Sequence, residues 1–363
     1  MKKLSMILPL ALILCFMVGC QDKEAMSELE EQNAADNLPG FIFSAPAPNN
    51  DGKLIILVYY DMEGLSGQDD LRTVSFRYLE QYKKGQKYLT ADVNAVIEGL
   101  FDGGTDEVYV VDAHGSGSPK PDIIIEQIDS RAKFIYYEKI PKGKSLWEDY
   151  VIDAIAVVGM HSKTGGGGFM AHTNSFGIDY IVNERSVNET ELLMYHVEEF
   201  NLPVIFASGD DKLKEQLQPY PWIEYVTVKF ATSAYSADLR PIEEVHKEMR
   251  MSAKRAVENI PNAKVVEPKM PIKAGLRAMS PLSLIILKEV PGINYHDDTV
   301  TFEAKNYEEA RRGMSAIGRV ANRIENHRVL LKTLEKQDNF KKIWEEYRHN
   351  RFIRWLDIKS GQS

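Results

Sequence analysis

Four runs, KLIILVYY at 53–60, DEVYVVD at 106–112, AIAVVGM at 154–160 and LPVIFAS at 202–208, are short, rich in β-branched residues and strongly apolar. A strand that is apolar at odd and even positions alike must be covered on both faces, which places it inside a sheet flanked by helices. Helical stretches separate the runs. Leu89, Val93, Val96, Ile97 and Leu100 share one helical face, with Thr90 near the start and Gly103 and Gly104 as the stop. A second helix is expected from about Glu189, and a third from Pro241 to Asn259, with Glu243 and Glu244 in its first turn and basic residues further on. This alternation predicts an α/β fold: a mainly parallel sheet flanked by helices, with a smaller C-terminal α/β part and a helical C-terminal extension.

The remaining organisation follows from composition. The start, MKKLSMILPLALILCFMVGCQDKE, has Lys2 and Lys3, an apolar run from Met6 to Val18, then Gly19 and Cys20, the pattern of an export signal. Its ending, MVGC, resembles a lipoprotein lipobox, which implies lipidation of Cys20 and an exported protein anchored in a bacterial cell envelope. The predicted division is therefore a signal peptide at 1–19, a tether at 20–50, an α/β domain at 53–320 and a helical extension at 321–363. Within the extension, Trp344, Tyr347, Phe352 and Trp355 lie among many charges and suit helices packed on the body or on a partner. Both cysteines, Cys15 and Cys20, fall in the leader, so any metal in the body must be held by nitrogen and oxygen. A formal charge of −9, with no basic stripe in the first 300 residues, excludes a nucleic-acid backbone as the main partner.

The polar residues that stand out lie where the strands end, the edge at which open α/β sheets bind ligands. Asp61 and Glu63, two apart in YYDMEGLSG, can face one ion, although a strand end carries such pairs without one. His114 in VVDAHGSG is either a satisfied core imidazole or a ligand, and His161 in VVGMHSKTGGGG repeats the arrangement on another strand. Glu189 opens a helix, with Glu191 as a competitor for its role. Together these suit an N/O-only site for zinc or a similar ion, and five ligands suit two ions better than one. No G-x-S-x-G elbow, H-E-x-x-H helix or P-loop is present, and Ser116 has no visible base.

Six blocks then occur in order: Asp61-Met-Glu63-Gly64-Leu-Ser66-Gly67, Thr90-Ala-Asp92-Val-Asn94-Ala95, Asp112-Ala-His114-Gly115, Gly159-Met-His161, Ala171-His172-Thr173 and Ser208-Gly209-Asp210. Their order and spacing resemble the zinc-dependent D-aminopeptidase family from about residue 53 to about 320. The resemblance implies two zinc ions bridged by Asp61, with Glu63 and His114 completing one set and His161 with Glu189 the other. It makes His172 a catalytic residue beside the ions; a plainer role for His172 is to orient Thr173 and its loop. Two departures from the family pattern are Asn188 before the ligand carboxylate and the loop His161-Ser-Lys163-Thr-Gly165 with three further glycines. Asp112 and Asp210 could support the ligating imidazoles or cap turns, and Lys163 could meet a substrate carboxylate or solvent.

The implied activity is release of N-terminal D-amino acids, such as D-Ala, from short peptides by metal-activated water, in a homo-oligomer of identical subunits. Two competing readings are a catalytically altered envelope lipoprotein that binds or assembles, and a hydrolase of another cell-wall amide.

Overall fold

The computed structural model describes residues 38–47 and 52–356. The expected export signal, Cys20 and most of the expected tether lie outside these residues. In chain order the strands are β1 (Phe41–Ser44), β2 (Ile55–Tyr60), β3 (Glu107–Asp112), β4 (Lys133–Ile135), β5 (Ala154–Met160), β6 (Ile178–Val182), β7 (Arg185–Val187), β8 (Val204–Asp210), β9 (Glu224–Ser233), β10 (Ser236–Leu239), β11 (Val265–Pro268), β12 (Ile272–Ala278), β13 (Asn294–His296) and β14 (Thr299–Ala304). The α-helices are α1 (Leu79–Asp102), α2 (Leu146–Asp149), α3 (Glu189–His196), α4 (Asp211–Gln216), α5 (Ile242–Glu258), α6 (Tyr307–Leu334) and α7 (Phe340–Leu356).

The main sheet runs β10-β9-β8-β5-β2-β3-β4, parallel throughout except for the β9–β10 edge pair. The chain leaves β2 outward through β3 to β4, then returns to the other side of β2 for β5, β8 and β9. That reversal makes the β2/β5 boundary the topological switch point, where the carboxyl ends of the strands leave a crevice. The apolar runs serve this core: every residue of β5 is buried, and so is every residue of β2 except Tyr59. Helices α1 and α5 pack side by side and lie against β2, β5, β8 and β9. Their contact is close because Gly99 on α1 faces the Arg250 carbonyl and Ala253 on α5, leaving no room for a side chain.

A second, five-stranded sheet, β13-β14-β12-β6-β7, is entirely antiparallel, and α6 packs on β12 and β14. It recruits β6 and β7 from the middle of the chain, so the smaller C-terminal part expected from sequence is not C-terminal alone. Two further expectations change in detail. Residues 41–44, placed in the tether, form β1 and pair with β11, and Phe41 stacks on Tyr195 with ring centroids 5.0 Å apart. Helix α6 continues unbroken through residue 320. What changes there is burial, since Tyr307, Ala310, Met314, Ile317 and Ala321 are covered while Val329 and Leu330 are exposed.

Candidate metal centre

The carboxyl ends of β2 and β5 are tied together by their own backbone. Asp61 N–H donates to the Val158 carbonyl at 2.8 Å and Gly64 N–H to the Gly159 carbonyl at 2.7 Å. A Cβ on Gly64 would stand 1.8 Å from the Met160 carbonyl oxygen, so only glycine lets the loop carrying Asp61 and Glu63 lie against the strand carrying His161. His114 follows β3, and Glu189 is the first residue of α3. Asn188 caps that helix by accepting from Glu191 N–H, while Glu191 accepts from Asn188 N–H. Glu191 is also engaged by Arg185 at 2.7 Å and Tyr220 Oη at 2.8 Å. It therefore faces away from the cluster, and Glu189 is the acid that enters it.

All five candidate ligands converge. Asp61 Oδ1 lies 2.8 Å from His114 Nδ1, and Asp61 Oδ2 lies 3.3 Å from His161 Nε2. Glu63 Oε2 is 3.3 Å from His114 Nδ1, and Glu189 Oε1 is 3.5 Å from His161 Nε2. Burial opposes ionisation of Asp61, yet the facing His114 and His161 rings hold its carboxyl well below the usual range. Burial likewise opposes charge on the two imidazoles, but Glu63 and Asp61 hold His114, and Glu189 and Asp61 hold His161, well above an ordinary histidine. Glu189 is lowered, since His161 outweighs its burial.

The outward nitrogen of each imidazole is spoken for by a main-chain carbonyl. His114 Nε2 meets the Val74 carbonyl at 2.8 Å, His161 Nδ1 the Ser162 carbonyl at 3.0 Å, and His172 Nδ1 the Met170 carbonyl at 2.8 Å. These nitrogens donate, so in the neutral rings the opposite lone pairs point at carboxylates. Lone pairs facing carboxylates repel unless a cation lies between them. Glu63 Oε2 and His161 Nε2 are moreover buried without a hydrogen-bond partner. Five N and O ligand residues, two with orphaned atoms, fit a pair of divalent ions such as zinc. Asp61, Glu63 and His161 bring ligand atoms within 4.8 Å of one another, as do His161, His172 and Glu189.

His172 stacks on His161 with centroids 4.0 Å apart, and Phe176 covers its other face at 4.5 Å. Its Nε2 is 3.8 Å from Glu189 Oε1. A cleft of about 400 Å³ opens over the cluster, lined by Asp61, Glu63, His114, His172, Phe176 and Glu189 among others. Asn174 and Glu189 also line a larger chamber of about 690 Å³, walled by Tyr59, Tyr137, Trp147, Tyr180 and Tyr307. Asn174 N–H donates to Glu189 Oε1 at 2.7 Å at this junction.

Of the two roles left open for Asp112 and Asp210, the structure shows the turn-capping one. Asp210 caps α4 through Leu213 N–H and accepts from Phe169 N–H, and Asp112 accepts from the main-chain N–H groups of His114 and Asp122. Both hold turns, and the carbonyls of Val74, Ser162 and Met170 orient the rings instead. Ser116 donates to Asp122, as Tyr82 does, so its hydroxyl is a member of a hydrogen-bond network. Lys163 Nζ lies 3.9 Å from Asp179 at the wall of a different cavity. Asn174, Phe176 and the fully buried Lys229 escaped notice in the sequence. Lys229 alone carried a signal, a lysine in the apolar strand EYVTVKF. Burial pushes its amine down to about 7 against the pull of Asp210, Asp92 and Glu63.

A doubly wound sheet bearing an N/O-only ligand cluster at its switch point defines a candidate metal centre with donors enough for two ions. The chain belongs to the D-aminopeptidase family, whose sequence model matches residues 54–316. It is 29% identical over 171 residues to the D-aminopeptidase of Bacillus subtilis (strain 168), an alignment covering 47% of this chain and 61% of that relative. Its fold is similar to the Zn-dependent D-aminopeptidase DppA from Bacillus subtilis, a self-compartmentalizing protease, with a TM-score of 0.65 and 24% identity over 74% of this chain and 98% of that one.

The comparison corrects the expected localisation. The structure it resembles is that of a self-compartmentalizing protease, and this likeness argues against the expected exported lipoprotein anchored through Cys20. No helix among the described residues is long and apolar enough to cross a membrane.

Proposed function

We propose that the chain is a zinc-dependent aminopeptidase that releases N-terminal D-amino acids, D-Ala among them, from short peptides. One observation carries this reading: the two oxygens of Asp61 face histidines from two different strands, each ring fixed from behind by a carbonyl. Glu63 and His114 would hold one ion with Asp61, and His161 and Glu189 the other. A divalent pair held there would activate water and polarise a scissile carbonyl.

The chain's own residues supply the rest. His172, its Nδ1–H committed to Met170, leaves Nε2 to take a proton from the attacking water and pass it to the leaving amine as the C–N bond breaks. Phe176 on its outer face shields that proton from bulk water. The aromatic chamber beyond Asn174 is within the size range of small-ligand sites, about 300–1,000 Å³, and takes the part of the peptide beyond the scissile bond. Assembly of identical copies into a closed particle is part of this proposal, supported by the self-compartmentalizing relative.

The test is release of D-Ala from D-Ala-D-Ala or D-Ala-Gly-Gly by the purified, zinc-loaded chain. Activity that disappears with a chelator and returns with zinc supports it. Inactivity with zinc, manganese and cobalt across a panel of D- and L-peptides contradicts it.

A further inference from the structure

Lys229, on β9, is fully buried, and among the described residues no carboxylate lies within ion-pair distance of it. A buried amine is costly unless every N–H finds an acceptor. Here Nζ donates to the Glu63 carbonyl at 2.6 Å, the Gln68 carbonyl at 3.1 Å and Gln68 Oε1 at 3.0 Å. All three acceptors belong to the loop that follows β2. The Phe169 ring closes the remaining side, with Nζ 4.3 Å from its centroid.

The contacts continue past the loop. Gln68 Nε2 donates to Thr73 Oγ1 at 2.8 Å, and Thr73 Oγ1 donates to the Asp70 carbonyl at 2.7 Å, which fixes the turn ending at Val74. The Val74 carbonyl is the group that receives His114 Nε2. One lysine therefore anchors the backbone of Glu63 directly and, through Gln68 and Thr73, the carbonyl that orients His114. His161 and Glu189 are held by other means: the Ser162 carbonyl behind His161, and the cap of α3 with the Asn174 N–H on Glu189.

We propose that Lys229 is a positioning residue for one ion of the pair, the ion held by Glu63 and His114, and that the other ion does not depend on it. This rests on the reading of these residues as two ligand sets. Its consequence is asymmetry: loss of the lysine uncouples one half of the centre, where a general loss of stability would weaken both halves together.

The experiment is a zinc titration of the full chain against a chelating indicator, resolving two binding steps. Glu63→Gln identifies the step belonging to one set and Glu189→Gln the step belonging to the other. Lys229→Met, nearly isosteric but without donors, is expected to weaken the Glu63 step about 10–100-fold and leave the Glu189 step unchanged. Gln68→Leu, which keeps the lysine and removes its side-chain acceptor, is expected to weaken the same step by less, and it serves if Lys229→Met fails to fold. Two unaltered steps in a folded Lys229→Met or Gln68→Leu chain, or equal weakening of both, overturns the proposal. A wild-type chain that binds no zinc overturns the two-ion reading itself, a separate outcome.

Discussion

The rings of His161 and His172 stack with planes 12° from parallel, and both lean on Ser162, whose carbonyl accepts from His161 Nδ1 and from His172 N–H. The two rings share this support, yet the two Nε2 atoms have different surroundings. His161 Nε2 is buried between Asp61 and Glu189, whereas His172 Nε2 faces the cleft beside Glu189 alone.

On the proposed function, His161 is the ligand and His172 the proton donor. His172→Gln should retain two zinc ions per chain and lower kcat by about 10²–10⁴, with little change in KM. Elemental analysis beside steady-state kinetics checks it, and loss of one ion would make His172 a ligand.

Metal removal should leave a protein whose stability falls as pH rises. His114 and His161 have folded pKa values well above their unfolded value of 6.5, so in the metal-free protein their contribution is complete below 6.5 and disappears as pH rises through the folded values. Asp61 and Glu189, depressed from 3.8 and 4.5, contribute above those values and stop contributing as pH falls through the folded ones. Zinc requires neutral imidazoles, so its affinity rises with pH. Thermal melts at pH 6 and pH 9 should show the metal-free protein losing stability at the higher pH and the zinc protein's advantage over it growing. A constant difference between the two forms would contradict this.

The chamber beyond Asn174 should discriminate between peptides. Tyr137, half exposed on its wall, can be removed with little effect on the core. Tyr137→Ala should raise KM about tenfold, a loss of ~1.4 kcal/mol, for tripeptides with a bulky second or third residue, and leave D-Ala-D-Ala unaffected. Equal effects on both substrates would place the peptide elsewhere.

Much of this arrangement was legible in the sequence because burial on both faces leaves a strong imprint. The runs ending at Tyr60, Asp112, Met160 and Asp210 could hardly be anything but central strands, and a histidine or acid just past such a run stands at the ligand edge. Helix α5 was equally plain from its charges. The antiparallel sheet was not, because β6 and β7 are short, β7 pairs only with β6, and the pairing of β6 with β12 joins residues about 90–100 apart. Helix α1 begins ten residues before Leu89, where EQYKKGQK offers little apolar periodicity. The supports of the imidazoles were invisible in principle, since a main-chain carbonyl is the same whatever the residue, and so Asp112 and Asp210 drew attention that belonged to Val74, Ser162 and Met170. Glu189 over Glu191 was settled by Arg185 and Tyr220, partners brought in by folding.

The central claim is a pair of ions sharing Asp61. It is tested most directly by the zinc content of the purified chain and of Asp61→Ala, measured after reconstitution and removal of free metal. The account predicts two zinc ions per wild-type chain and a large loss of both in a folded Asp61→Ala protein. A wild-type chain that retains no zinc, or a variant that keeps both ions, would contradict it.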